Sequence, residues 1–161
     1  AVNKKEVLDL LDAKKLAYEK VEHPPVFTVD EMLAQGLPHV EAIAKNLFVR
    51  DDKKQQYYLI TVKEEKRVDL KDFRNRFHTR RLTFASEEDL AAILGLSRGA
   101  VTPFGILNDA SRRVIVYFDE DFRGKLMGIH PNENTATVYI KTEDVARLIE
   151  ERGNELHFAR F

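Results

Sequence analysis

The chain has 161 residues, a length at which roughly 70% of the unfolded surface can be buried, so we expect one domain spanning residues 1–161. Its formal net charge of −1 and charged fraction of 33% are typical of a globular protein and argue against indiscriminate binding to polyanions. Cysteine is absent, which excludes disulfides, thiolate metal sites and a cysteine nucleophile. Because the N-terminus leads into an amphipathic pattern and no apolar run approaches ~20 residues, we expect a cytoplasmic location and no membrane partner.

Hydrophobic spacing and capping residues predict a mixture of short helices and strands. An amphipathic helix is expected at about 3–16 and a strand at 18–22, and Thr28 with Glu31 matches a capping box for a short helix that ends near Gly36. In the middle of the chain we expect a brief turn from Pro38 to Ala44, a hairpin of strands at 45–50 and 55–62, and a helix capped by Asp69. A strand at 82–84 and a helix from Ser86 to Gly95 follow. The last third should contain strands at 114–118, 126–129 and 135–140, a helix capped by Thr142 and ended by Gly153, and an edge strand or packed tail at 156–161. Since strict βαβ alternation is missing, the fold class is predicted to be α+β with a largely antiparallel sheet.

The loop between Gly99 and Gly105 has an unusual composition. Glycine allows close approach of a backbone to a ligand, and Pro103 biases Thr102 towards an extended conformation. The side chains between them are small, so the loop would offer mainly backbone N–H groups, which suit a carbonyl or a phosphate. On its own composition the loop is better explained as a rigid connection between a helix and a strand.

Other local signals are individually weak. Gly95-Leu96-Ser97-Arg98-Gly99 matches G-x-S-x-G, but a nucleophile elbow needs a strand before the serine and a helix after it, and the predicted order is the reverse. The five histidines form no H-x-H or H-E-x-x-H pattern, so no metal site and no cofactor are expected. His130 follows a predicted strand, where a surface loop histidine is the common outcome. Lys45, at the entrance to a strand, could be merely solvated or could serve as a point charge for a phosphate.

A basic run lies between residues 71 and 81. It has two interpretations: the polar face of a helix with a charged end, or a patch that follows a phosphate backbone. The residues alone leave both open. The run consists of Lys71, Arg74, Arg76, His78, Arg80 and Arg81, with Asp72 as its one acid.

Four stretches, in order along nearly the whole chain, together resemble the YbaK/prolyl-tRNA-synthetase-associated editing domains, and among them the freestanding ProX- or PrdX-type deacylases. They are Phe27–Glu31, Ala44–Phe48, Gly99–Asp109 and Gly128–Thr137. The resemblance implies a mixed sheet partly closed into a barrel and flanked by helices. It also implies hydrolysis of the ester between a wrong amino acid and tRNA(Pro), with the acceptor end of the mischarged tRNA as partner and prolyl-tRNA synthetase as a second candidate partner.

The resemblance also implies roles for individual positions. Lys45 matches the family's essential lysine, which contacts the terminal nucleotide, and Gly99–Pro103 matches its G-x-x-x-P element. Gly128–Thr137 has the pattern of the subfamily that removes alanine, so alanyl-tRNA(Pro) is the expected substrate and cysteinyl-tRNA(Pro) the near alternative. The predicted catalytic residues are Lys45, Gly99 and His130; the predicted substrate-binding residues are Val29, Met32, Asn46, Ala100, Val101, Thr102 and Pro103; the predicted tRNA contacts are Arg74, Arg76, Arg80 and Arg81.

An aminoacyl ester is already activated, so positioning it beside a water molecule can lower the barrier by several kcal/mol of the ~7–11 kcal/mol available from this source. The Gly99 loop would stabilise the oxyanion through backbone N–H groups, Lys45 would anchor the terminal adenosine, and the substrate's ribose hydroxyl would orient or activate the water, as the resemblance suggests. Val29, Met32 and His130 would exclude proline, which is larger than alanine.

Two other classes of function remain open from the sequence. A non-catalytic module could bind tRNA or a synthetase through the basic run and the same cleft. A small-ester hydrolase could use Ser97, in which case Ser97→Ala would abolish its activity.

Overall fold

The chain forms two β-sheets, a smaller antiparallel one and a larger mixed one. The computed structural model describes all residues 1–161. The smaller sheet has the strand order β1-β7-β6 and is antiparallel throughout. The larger sheet has the order β4-β2-β3-β5-β8. The strands are β1 (Tyr18–Glu22), β2 (Ala44–Asp51), β3 (Tyr57–Lys63), β4 (Leu82–Phe84), β5 (Val114–Asp119), β6 (Leu126–Ile129), β7 (Ala136–Lys141) and β8 (Leu156–Ala159).

Pairing within the larger sheet changes direction at β3. Strands β2 and β3 form the predicted antiparallel hairpin and β4 pairs antiparallel with β2, whereas β5 runs parallel to both β3 and β8. The last segment of the chain is therefore an edge strand. The two sheets are separate and are joined by an isolated bridge between Ile43 and Gly128. Because no continuous ladder connects them, the barrel-like arrangement is open. These pairings confirm the predicted α+β class with a mixed, largely antiparallel sheet.

Five α-helices lie around the sheets, and short polar side chains cap the first turns of four of them. Asn3 caps the first helix, Thr28 the second, Asp69 the third and Ser86 the fourth. None of the helices has the length and apolar character that crossing a membrane requires. They are α1 (Lys4–Ala13), α2 (Val29–Ala34), α3 (Leu70–Phe77), α4 (Glu87–Asp89), which continues as a π-helical turn (Leu90–Leu94), and α5 (Thr142–Glu151).

Two predicted caps differ from the structure. The Thr28 side chain accepts a hydrogen bond from the Glu31 amide, but the Glu31 carboxylate accepts one from the Phe27 amide, so the capping box closes one residue earlier than expected. The prediction that Thr142 caps α5 is wrong. Thr142 is the first helical residue, and its hydroxyl donates to the carbonyl of Lys125, because a tertiary acceptor competes with the local amides.

The main core lies between the two sheets and is closed by α1, α5 and the turns before β5. Leu59, Val116, Phe118 and Ile140 are fully buried in it. A smaller cluster on the opposite face of the larger sheet is covered by α3, where Phe73 contacts the rings of Tyr58 and Tyr117. Strand β3 is buried along its whole length because it is covered on both faces.

Candidate active site

A cavity of ≈ 560 Å³ opens where the two sheets meet. This volume lies within the range of small-molecule sites in proteins. Its wall is built from six separate parts of the chain, so no single motif defines it. The lining residues are Val26, Phe27, Thr28, Val29 and Met32 before and in α2; Ile43, Ala44, Lys45 and Asn46 at the start of β2; Glu64 after β3; Arg98, Gly99 and Val101 in the loop; Gly128, Ile129 and His130 in and after β6; and Thr137 in β7.

Lys45 enters the cavity from the beginning of β2. Its backbone pairs with Val62 of β3, so the position of the side chain is fixed by the ladder of the larger sheet. The half-buried ammonium group donates a hydrogen bond to the carbonyl of Lys66. Lys66 in turn forms ion pairs with the fully buried Asp119 (2.9 Å) and with Asp121 (2.5 Å). An ammonium group has three donors, so two remain for a ligand.

The backbone of Gly99 is in close contact with two side chains. A Cβ atom at this position would lie 2.6 Å from Cε1 of Phe27 and 3.3 Å from Nδ2 of Asn134. The Phe27 ring therefore rests on the bare backbone of Gly99 at the mouth of the cavity, where 71% of the residue stays exposed.

Asn134 holds the segment that carries Phe27. Its side-chain amide donates to the carbonyl of Val26 (2.7 Å), and its side-chain oxygen accepts from the amide of the same residue (3.2 Å). The asparagine thus pairs with Val26 as a neighbouring strand would. This pairing fixes the position of Phe27 relative to Gly99.

The loop after Gly99 divides into a lining part and a buried part. The Ala100 amide donates to the carbonyl of Ser97 (3.0 Å), whereas the Val101 amide, beside the cavity, has no acceptor in the protein. The hydroxyl of Thr102 donates to the carbonyl of His130 (2.7 Å) and ties the loop to β6. Ala100, Thr102 and Pro103 are buried and do not line the cavity, although the sequence interpretation gave them substrate contacts. The hydrogen bond of Thr102 supports the loop from behind the cavity.

His130 lies at the end of β6 with its ring half-buried in the cavity wall. Its Nδ1 is 2.9 Å from the carbonyl oxygen of Ala136, so the neutral ring carries its proton on Nδ1 and leaves Nε2 as an acceptor without a protein partner. Burial lowers the pKa of His130 from its ordinary value, and the nearby His23, with ring centroids 6.0 Å apart, lowers it further, against the opposing effect of the Ala136 carbonyl. At neutral pH the ring is therefore uncharged.

The sequence interpretation named seven of the 17 lining residues as site residues. Among those it missed, Phe27, Glu64 and Arg98 have the largest or most polar side chains. Phe27 belongs to a stretch that carried the family resemblance, so a signal was present. Arg98 is exposed and pairs with Glu87 at 3.2 Å. Glu64 has no motif around it and reaches the cavity only because the end of β3 does.

The remaining predicted residues lie elsewhere. Ser97 follows a helical turn and does not line the cavity, as expected for a coincidental motif match. No group of three or more His, Cys, Asp or Glu side chains is placed to hold a metal ion. The four arginines of the basic run are outside the cavity wall, and their proposed contact with tRNA stays a prediction; they are Arg74 and Arg76 on α3, and Arg80 and Arg81 after it.

Two of these arginines already have partners within the protein. Arg80 forms a two-point ion pair with Asp52, at 2.6 and 2.9 Å. Arg76 lies over the rings of Phe77 and Phe161. These contacts favour, for this pair, the interpretation of the run as a structured helix face.

Known proteins share both the sequence and the fold of this chain. Residues 23–148 match the family model of the aminoacyl-tRNA editing domain. The chain is 40% identical over 152 residues to the prolyl-tRNA editing protein ProX of Acetoanaerobium sticklandii, covering 94% of this chain and 93% of that protein. It is 31% identical over 153 residues to prolyl-tRNA synthetase associated domain-containing protein 1 of Mus musculus, covering 90% of this chain and 88% of that protein.

A solved structure agrees in fold. The crystal structure of a candidate trans-editing enzyme for prolyl-tRNA synthetase superposes with a TM-score of 0.72 at 22% identity, covering 98% of this chain and 94% of that chain. The chain belongs to the aminoacyl-tRNA editing domain family, which confirms the resemblance noted from the sequence. It is an aminoacyl-tRNA deacylase, a carboxylic ester hydrolase.

Proposed function

We propose that the chain edits in trans, removing a wrong amino acid from mischarged tRNA(Pro), with alanine as the amino acid removed. The observation that carries the proposal is the convergence of Lys45, Gly99 and His130, from three separate elements, on one open cavity. The relative named as a prolyl-tRNA editing protein supports the choice of tRNA. The Gly128–Thr137 block supports the choice of alanine.

The proposed reaction needs positioned groups and no covalent intermediate. A water molecule attacks the ester carbonyl, the carbonyl oxygen becomes an oxyanion, and the C–O bond to the ribose breaks to release alanine and free tRNA. The unpartnered Val101 amide beside Gly99 is suited to donate to the oxyanion. The two remaining donors of Lys45 are suited to a phosphate or ribose oxygen of the terminal adenosine.

His130 supports this reaction as a neutral acceptor. Its free Nε2 can accept a hydrogen bond from the water or from the aminoacyl group, and its ring forms part of the wall. The lowered pKa keeps the ring in the accepting form at neutral pH. The ribose hydroxyl next to the ester would orient or activate the water.

Selection against proline is proposed to be steric. Val29 and Met32 of α2 line the same cavity as His130, and the three side chains would leave room for a methyl side chain but not for the pyrrolidine ring. Met32 packs against the cluster of Ala42, Ile43 and Tyr139, so it is supported from behind. A synthetase pocket built for proline admits smaller side chains, and a second, smaller site corrects that error. Cysteine is also small and is the alternative amino acid.

The proposal extends to the organisation of the protein. Residues 1–161 act as one editing domain in the cytoplasm, and the acceptor end of tRNA(Pro) is the partner that enters the cavity. Prolyl-tRNA synthetase is a candidate second partner because it produces the mischarged substrate. A non-catalytic binding module would instead retain tRNA without hydrolysis.

The test is deacylation of alanyl-, cysteinyl- and prolyl-tRNA(Pro) by the wild type and by Lys45→Ala. Preferential loss of alanine that the substitution abolishes supports the proposal. Preferential loss of cysteine would keep the enzyme class and change the amino acid. Stable binding of all three without hydrolysis would contradict the proposed reaction.

A further inference from the structure

Glu64 is the only acidic residue that lines the cavity. Its backbone amide donates to the carbonyl of Ile43 (3.2 Å), which extends the β2–β3 ladder by one bond beyond Lys63. Glu64 lies two residues after Val62, the cross-strand partner of Lys45. Residues in this relation project from the same face of a sheet as diagonal neighbours. The ladder therefore places a carboxylate beside the Lys45 ammonium.

The Glu64 carboxylate has no partner in the protein. It forms neither an ion pair nor a side-chain hydrogen bond, and the ammonium of Lys45 donates to Lys66 instead. The side chain is half-buried, and burial raises the pKa of its carboxyl, with the charge of Lys45 opposing that shift. A half-buried carboxylate without a partner is costly and would be stabilised by a cation that enters the cavity.

The geometry points to Glu64 as the group that binds the α-ammonium of the aminoacyl ester, an assignment that rests on the deacylase function proposed above. The aminoacylated end of a tRNA carries phosphate anions and one cation, the α-ammonium next to the ester. α-Amino groups have pKa values near ~7.7–8.0, so this cation is present through much of the neutral range. Lys45 and Glu64 offer the complementary pair of charges side by side.

This assignment gives the site a way to recognise an amino acid by its main-chain group and not only by its size. A carboxylate at this place favours a free aminoacyl ester over an ester whose amine is acylated or replaced. It also orients the ester carbonyl, because the ammonium and the carbonyl are attached to the same carbon. Once the ammonium and the carbonyl are held, the stereochemistry of that carbon fixes the direction of the methyl side chain.

The test compares alanyl-tRNA(Pro) with lactyl-tRNA(Pro), in which a hydroxyl replaces the ammonium. Glu64→Gln keeps the shape of the side chain and removes its charge. It is expected to lower kcat/KM for the alanyl ester by about 10- to 100-fold, the effect of one charge-assisted hydrogen bond, and for the lactyl ester by less than about 3-fold. The matched control is Glu65→Gln, at an exposed neighbour outside the cavity, which should change neither rate.

Two results would overturn the assignment. Equal losses on both esters would show that Glu64 acts on the water or on Lys45, and an unchanged alanyl rate would remove it from the site. Glu64→Asp, which keeps the charge, should retain more alanyl activity than Glu64→Gln. If the glutamine variant folds poorly, the ratio of its alanyl and lactyl rates still tests the assignment, because both rates fall equally with the amount of folded enzyme. A wild type that hydrolyses neither ester would instead refute the proposed function, and the assignment with it.

Discussion

Gly99→Ala tests the packing at the cavity mouth, because the added methyl group would lie 2.6 Å from the Phe27 ring. Carbon atoms pack at about 3.5–4.0 Å, so the ring has to move by roughly 1 Å. Phe27 is largely exposed and can move, and Gly99 does not have a left-handed φ, so we expect the free energy of unfolding to change by less than about 1 kcal/mol. Misplacement by about 1 Å at a reacting site can cost on the order of 100-fold in rate. Activity should therefore fall by about 10- to 100-fold.

A double-mutant cycle with Phe27→Ala separates this explanation from others. The assay is kcat/KM for alanyl-tRNA(Pro), with urea unfolding of each variant as the control for folding. If the methyl group acts by displacing the Phe27 ring, the double variant should be no less active than Phe27→Ala alone. Additive losses would refute the reasoning and would mean that the methyl group acts on the substrate or on the loop amides directly.

Three further predictions concern the cavity wall, His130 and the side chain of Asn134 that pairs with Val26. Met32→Ala should enlarge the cavity and allow hydrolysis of prolyl-tRNA(Pro); unchanged discrimination would remove Met32 from the wall. Protonation of His130 removes its Nε2 acceptor, and burial lowers the pKa of this ring below the ordinary 6.5. The acid-side decline of kcat/KM for lactyl-tRNA(Pro), which has no titrating amine, should therefore have its midpoint below pH 6.5. A decline centred above pH 6.5 would contradict this. Asn134→Ala removes two hydrogen bonds to Val26 and should lower the unfolding free energy by about 1–2 kcal/mol in urea, whereas Asn75→Ala, on the exposed face of α3, should not.

Elements with local signals were predictable from the sequence. Asp69 caps α3, and the run from Leu70 to Phe77 is helical as expected, because cap and apolar spacing agree. Thr142 was assigned wrongly because its hydroxyl bonds to Lys125, distant in sequence. The parallel pairing of β5 with β3 and β8 carries no local signal, since it depends on which strands the core brings together.

The same distinction applies to the site. Lys45, Gly99 and His130 belong to recognisable stretches, and the structure brings them to one cavity. Thr102 is adjacent to the lining residues in sequence yet is turned into the protein, because its hydroxyl bonds to the His130 carbonyl. Glu64 could not be found in advance, because its place beside Lys45 depends on the register of two strands.

The most direct test of the central claim is the rate of alanine release from alanyl-tRNA(Pro), measured for the wild type, Lys45→Ala and Ser97→Ala. We expect rapid release by the wild type and by Ser97→Ala, since Ser97 lies outside the cavity wall, and near-complete loss with Lys45→Ala. Full activity of Lys45→Ala, or inactivation by Ser97→Ala, would contradict a water-mediated reaction in this cavity.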